Sequence, residues 1–262
     1  MTKTTIPVEQ LAAKVEGLLA VLYERRFAQL KTLTLAKLLN KNPYLYRAIG
    51  IERPDQYLDH LLSARISSSD ETIFGNEFFE PLALWAASVS SGAGRHVSVG
   101  AGAGQDISIE TDTEYFAISV KSGTNIFNSQ SDKGQKVEFD QIEARLKKLK
   151  KAFHKVVGFG YGRAPVSKTA KTIQKQAGQE FWELLTGEPD FYIRISDAIA
   201  KPAASHKSAF DDALQKKHSE LLRQFMLDYV DVDGTVRWRD VVAFNSSRLK
   251  PKQARKATSL GI

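Results

Sequence analysis

The sequence predicts an α/β fold: a small central mixed β-sheet flanked by helices, with helical additions at both termini. Three observations carry this. The alternating "QDISIET" is followed, after a short turn, by the apolar "EYFAISVKSG", which is hairpin spacing. A helical run, "EFDQIEARLKKLKKAF", comes next, with Ile142, Leu146, Leu149 and Phe153 as its buried stripe. "KVVGFGYGR" then reads as a buried strand, and the order strand, helix, strand predicts a right-handed crossover.

The flanks read mostly as helix. Residues 7–39 carry helical apolar spacing, with a bend expected near Arg25 or Arg26 because thirty residues is long for one globular helix. "NKNPY" is expected to turn the chain. A helix is expected over 54–66, starting at Pro54, with "SSSDE" as a loop or cap. A further helix is expected over about 71–88, kinked or divided at Pro81. "RHVSV" reads as a short strand. Residues 170–186 and 206–230 read as helix, and "VDGTVRWRDVVAF" as a terminal hairpin. "EPDFYIRISDAIA" fits either strand or helix. The expected division is a helical region at 1–66, an α/β core at 67–190 and a C-terminal extension at 191–262.

Composition narrows the function. The 262 residues carry a net charge of +7, which favours an anionic partner. The absence of cysteine excludes a disulfide scaffold, a thiolate zinc site and a cysteine nucleophile. The five histidines show no zinc spacing. The glycine-rich "SGAGRHVSVGAGAG" lacks the spacing and the Gly-Lys-Ser/Thr ending of a nucleotide-binding loop. Glu9, Lys14 and Glu16 interrupt the opening apolar positions, unlike a secretory leader, and no apolar run approaches a membrane span. The expectation is a cytoplasmic protein with no membrane association.

Asp106 and Lys121 form the sharpest pair. One opens the first hairpin strand and the other closes the second, so pairing around the turn brings both to one end of the sheet. A carboxylate is a hard oxygen ligand for Mg2+. A neighbouring lysine can orient or deprotonate a water, or steady charge on a phosphoryl oxygen. Phosphodiester hydrolysis needs these services. The competing reading is two polar residues capping a hairpin end. His96 reads equally as a phosphate contact or a polar strand residue.

"GQDISIE…YFAISVKSG" resembles the PD-(D/E)xK nuclease superfamily, familiar from type II restriction endonucleases. The resemblance covers about residues 70–165 usefully. Asp106 matches the first acid of the pattern and Lys121 the lysine. The chain departs twice: Gln105 stands where the family has proline, and Ser119 where it has the second carboxylate, giving "SVK". The resemblance implies a restriction-endonuclease-like core, Mg2+ as cofactor and double-stranded DNA as substrate. It also implies a homodimer and a cognate DNA methyltransferase. Asp106, Lys121, Ser119 and Glu80 are the expected catalytic residues, with Ser119 in a supporting hydrogen-bonding role.

Ser119 cannot ligate magnesium as a carboxylate would, so another acid is required. Glu77 and Glu80, three apart in an expected helix, share a face. Glu138, at the start of the lysine-rich helix, is the other candidate, and helix-borne replacement acids are a theme of the family. Glu110 lies about 13 Å along the strand from Asp106, which is far for one metal site. Expected DNA contacts are Arg163, Lys133, Asn125, Asn128, Lys147 and Lys151, and Gln135 can also pair with a base edge. The alternative function is a non-catalytic DNA-binding protein on a decayed nuclease fold.

Overall fold

The computed structural model describes residues 5–123, 129–163 and 173–248. They form two compact units: Met1–Leu22 with Glu71–Ser205, and Tyr23–Asp70 with His206–Ile262. The division falls inside three helices.

Helix α1, Val8–Lys31, runs unbroken through Arg25 and Arg26, where a bend was expected. Arg26 is held by Asp70 through two bonds of 2.8 Å and lies 3.8 Å from the Phe210 ring centroid, so that turn is anchored from outside. Thr34 caps α2, Leu35–Leu38. Asn42 caps α3, Pro43–Ala48, so the expected turn at "NKNPY" is also a helix start. Helix α4, Pro54–Phe74, continues through the "SSSDE" stretch expected as a loop or cap. Ser69 bonds Gln29 and Asp70 bonds Arg26, and these partners outweigh the weak helix propensity of serine and aspartate.

The expected interruption at Pro81 is real. Gly75–Phe79 forms a π-helical turn, closed by the Glu80 N–H bonding the Gly75 carbonyl, and α5, Glu80–Val89, follows with Pro81 in its first turn. Pro81 has no N–H to offer the preceding turn, so the helix widens there.

Strands β1, His96–Gly102, β2, Gln105–Glu110, and β3, Glu114–Lys121, are antiparallel neighbours. Helix α6 spans Ser129–Leu146 and tightens into a 3-10 turn, Lys147–Leu149. Lys150, at φ 53, ends it in the left-handed region. Phe153 therefore does not belong to the helical stripe expected for it. It lies in β4, Ala152–Phe159, stacked on Tyr115 at 5.5 Å. Strand β5, Gln174–Ala177, occupies part of the segment expected as helix, because it finds a parallel partner in β4. Helix α7 is Gln179–Thr186. Helix α8, Phe191–Tyr229, settles "EPDFYIRISDAIA" as helix from Phe191 and passes through Pro202. The expected terminal hairpin reduces to one bridge, Val230 with Val236, before α9, Trp238–Ser246.

In the first unit the sheet order is β1-β2-β3-β4-β5, with β3, β4 and β5 parallel. One face, through Ile107, Ile109, Ile118, Val120 and Val156, packs on α5, α7 and the start of α1. The other, through Tyr115, Ala117, Val157 and Phe159, packs on Phe139 and Ile142 of α6. Both faces are covered, which is why β3 is buried almost continuously. The second unit is helical, and Tyr57 is central to it, 4.9 Å from Trp238 and 5.5 Å from Phe225 between ring centroids. Among the described residues no helix is long and apolar enough to cross a membrane.

Candidate active site

The site begins with strand register. Ile107 pairs with Ile118 across the antiparallel β2–β3 ladder. One step further, Asp106 and Ser119 stand opposite each other. Asp106 Oδ2 accepts a hydrogen bond from the Ser119 hydroxyl at 3.2 Å and another from the Val120 N–H at 2.6 Å. Ser119 is fully buried and Asp106 only partly so. The serine that replaces a carboxylate therefore steadies the neighbouring one. Two residues on, Lys121 ends β3 on the same face as Ser119.

Glu80 arrives from the other side. The π turn sets it at the head of α5, while Ser122, just past the lysine, lies beside Gly75 of that turn: a Cβ at Gly75 would sit 3.5 Å from Ser122 Oγ. Burial raises the Glu80 carboxyl pKa above its usual range. The Asp106 carboxylate raises it further, Lys121 opposes the rise, and Glu77 adds to it. Glu80 thus lies within electrostatic reach of Asp106, Lys121 and Glu77.

Glu138 stands apart from that set of couplings. It abuts the β1–β2 turn, occupying the space a Cβ on Gly104 would need. Gly104 has φ +73, a conformation that favours glycine. Gln135, read from sequence as a base-pairing candidate, is buried and bonds the Gly104 carbonyl at 2.6 Å. It braces the turn that leads into Asp106. Among the described residues no three His, Asp or Glu side chains converge closely enough to hold a metal ion by themselves.

The expected DNA contacts divide. Lys151 bonds Glu110 at 2.6 Å and the Thr111 carbonyl at 2.7 Å, so its ammonium is already engaged within the sheet. Lys133, Lys147 and Arg163 are exposed. Asn125 and Asn128 lie outside the described residues. His96 is exposed on β1, opposite Glu110. Sequence reasoning singled out neither the Val120 N–H nor Gln135 as a support for Asp106. A backbone donor has no signature of its own, and a glutamine's partner is set by packing.

A five-stranded mixed sheet of this order, with helices on both faces, is a restriction-endonuclease-like core. The chain belongs to the type II restriction endonuclease EcoO109I family, whose sequence profile matches residues 9–207. That span contains the whole sheet and the elements that carry Glu77, Glu80, Asp106 and Lys121. A comparison with curated proteins finds no match.

Proposed function

We propose that this chain is a Mg2+-dependent endonuclease that hydrolyses phosphodiester bonds of double-stranded DNA at a specific sequence. The observation that carries it is Asp106, held by Ser119 and the Val120 N–H, at the same end of the sheet as Lys121, with Glu80 within electrostatic reach of both. The Asp106 and Glu80 carboxylates beside the single Lys121 ammonium leave negative charge that a divalent cation would balance. The donors are hard oxygens, which suit Mg2+, and this ion commonly takes only one or two carboxylates beside waters and phosphate oxygens. Asp106 and Glu80 would hold it, with Glu77 or Glu138 in support. When bound, the ion supplies charge neutralisation at phosphorus and a more acidic water.

The chain's own residues do the rest. Ser119 and the Val120 N–H occupy Asp106 Oδ2 and fix the carboxylate's orientation. Lys121 donates from its ammonium to the attacking water or to a phosphoryl oxygen. In-line attack forms one P–O bond as another breaks. Lys133, Lys147 and Arg163 would contact backbone phosphates. A symmetric recognition site implies a homodimer, and a restriction role implies a cognate methyltransferase and a cytoplasmic setting.

Plasmid cleavage tests this. Wild-type protein with Mg2+ is expected to cut, and Lys121→Ala and Asp106→Ala to abolish cutting. Nicking that survives both substitutions sinks the assignment. A second reading, DNA binding without cleavage, draws on Ser119 and on the lack of a tight carboxylate cluster among the described residues. Wild-type protein that binds DNA but cuts none across diverse sequences would establish it.

A further inference from the structure

The segment "GFGYG", residues 158–162, alternates glycine with aromatic residues. Gly158, Gly160 and Gly123 each leave room for a ring. A Cβ at Gly158 would overlap Phe181, and one at Gly160 would lie 2.8 Å from Phe79 Cγ. One at Gly123 would lie 2.5 Å from Tyr161 Oη and 2.8 Å from its Cε2. Carbon contacts settle at about 3.5–4.0 Å, so none of these places accepts a side chain without a shift. Two of the contacts concern the candidate site. Phe79 directly precedes Glu80, and Gly123 follows Lys121 by two residues.

Tyr161 links them. Its ring sits against Gly123 and lies 6.2 Å from the Phe79 ring between centroids. Its N–H bonds the Ser122 carbonyl at 3.1 Å, next to the Gly160 N–H on the Lys121 carbonyl at 2.8 Å. Its hydroxyl reaches the Glu71 carboxylate on α4 at 3.4 Å. Burial and that carboxylate raise the phenol pKa, so the hydroxyl stays a neutral donor. The Trp182 indole N–H bonds the Gly160 carbonyl at 2.9 Å and anchors the segment from below. The last registered β3–β4 pair is Lys121 with Phe159, so beyond it these contacts carry the strand end.

We propose that Tyr161 is a positioning residue. It braces the Lys121–Gly123 strand end against the Phe79–Glu80 junction, so that the ammonium and the helix carboxylate keep their relative placement. Its catalytic consequence rests on the nuclease reading; the brace itself does not. A merely exposed tyrosine would leave the strand end unchanged when removed, and a DNA-contacting tyrosine would alter affinity rather than rate.

The test compares Tyr161→Ala, Tyr161→Phe, Gly123→Ala and the double variant. It measures amide hydrogen exchange over residues 119–123, DNA affinity and single-turnover cleavage at saturating DNA. In Tyr161→Ala we expect exchange over that segment to rise about tenfold or more. Cleavage should fall about 10–100-fold, with affinity within about twofold. Tyr161→Phe should stay within about threefold of wild type. Gly123→Ala should show a similar loss, and Tyr161→Ala should add little to it, because both break one contact. Should Tyr161→Ala fail to fold, Tyr161→Leu is read by the same criteria. Wild-type exchange in the variant overturns the brace, as does weakened affinity at unchanged rate. If the wild-type protein cuts no DNA, the nuclease reading fails and exchange alone decides the brace.

Discussion

The two ends of the central sheet treat charge in opposite ways. Where β3 begins, each lysine has acid partners. Lys151 meets Glu110 at 2.6 Å, and Lys155 meets Asp140 at 2.5 Å and Glu143 at 2.7 Å; the His154 ring lies 3.2 Å from the Glu114 carboxylate. Where β3 ends, Glu80 lies within electrostatic reach of Asp106, Lys121 and Glu77, and Lys121 makes no ion pair with any described residue. Paired charges are what folding alone would select. A partly desolvated carboxylate crowded by other acids opposes folding, and in the proposed function this is the place where a cation binds. The two ends differ in kind although both are built from ordinary acids and lysines.

Substitutions at the acid-rich end should break this comparison most visibly. Asp106→Asn keeps the shape and removes the charge, and Mg2+-dependent cleavage is expected to fall by about 10³-fold or more, with folding intact by circular dichroism. Cleavage near the wild-type rate would remove Asp106 from the site. Ser119→Ala is milder, since the Val120 N–H still holds Asp106 Oδ2. The loss of one hydrogen bond of about 1–1.5 kcal/mol predicts a single-turnover rate about tenfold lower. An effect as large as that of Asp106→Asn would show that Ser119 does more than orient its neighbour.

At the paired end the expected effects fall on stability. Lys151→Met should lower unfolding free energy by about 0.5–1 kcal/mol in denaturant titrations and leave cleavage within about twofold. A large loss of cleavage would favour a DNA contact for Lys151 over a role in stability alone. The smallest effect is expected from Glu80→Gln, measured without divalent metal. The folded-state pKa of Glu80 lies above its unfolded value of about 4.3. The protonated form is therefore favoured in the fold. That contribution is fully present below the unfolded pKa and is lost as pH rises through the folded one. Glu80→Gln should match wild type in Tm near pH 4 and exceed it slightly at pH 7. A variant less stable than wild type at pH 7 would contradict the crowding of carboxylates.

Much of this was legible from local pattern. The alternation in "QDISIET" and the apolar run before Lys121 are properties of a strand and its immediate neighbours, so β2, β3 and the Asp106–Lys121 pair could be read directly. Elements whose form depends on distant partners could not. "SSSDE" is helical because Gln29 and Arg26 meet it, and Gln174–Ala177 is a strand because β4 lies alongside. Gln135 and Lys151 read from the sequence as candidate DNA contacts, with no partner within the fold marked for either. Gln135 closes on the Gly104 carbonyl and Lys151 on Glu110, and neither partner is near in sequence.

The sequence by itself determined the strand pair, the acid and lysine at its end, and a serine, Ser119, where the resembling pattern has a carboxylate. These follow from side-chain periodicity and residue chemistry, which act over a few residues. Only the tertiary structure decided what surrounds them. It brought Glu80 within electrostatic reach of Asp106 at the end of a π turn, gave Asp106 its two donors and laid Tyr161 on Gly123. Those relations join segments more than a dozen residues apart, and they exist only once both faces of the sheet are covered and the chain has closed on itself.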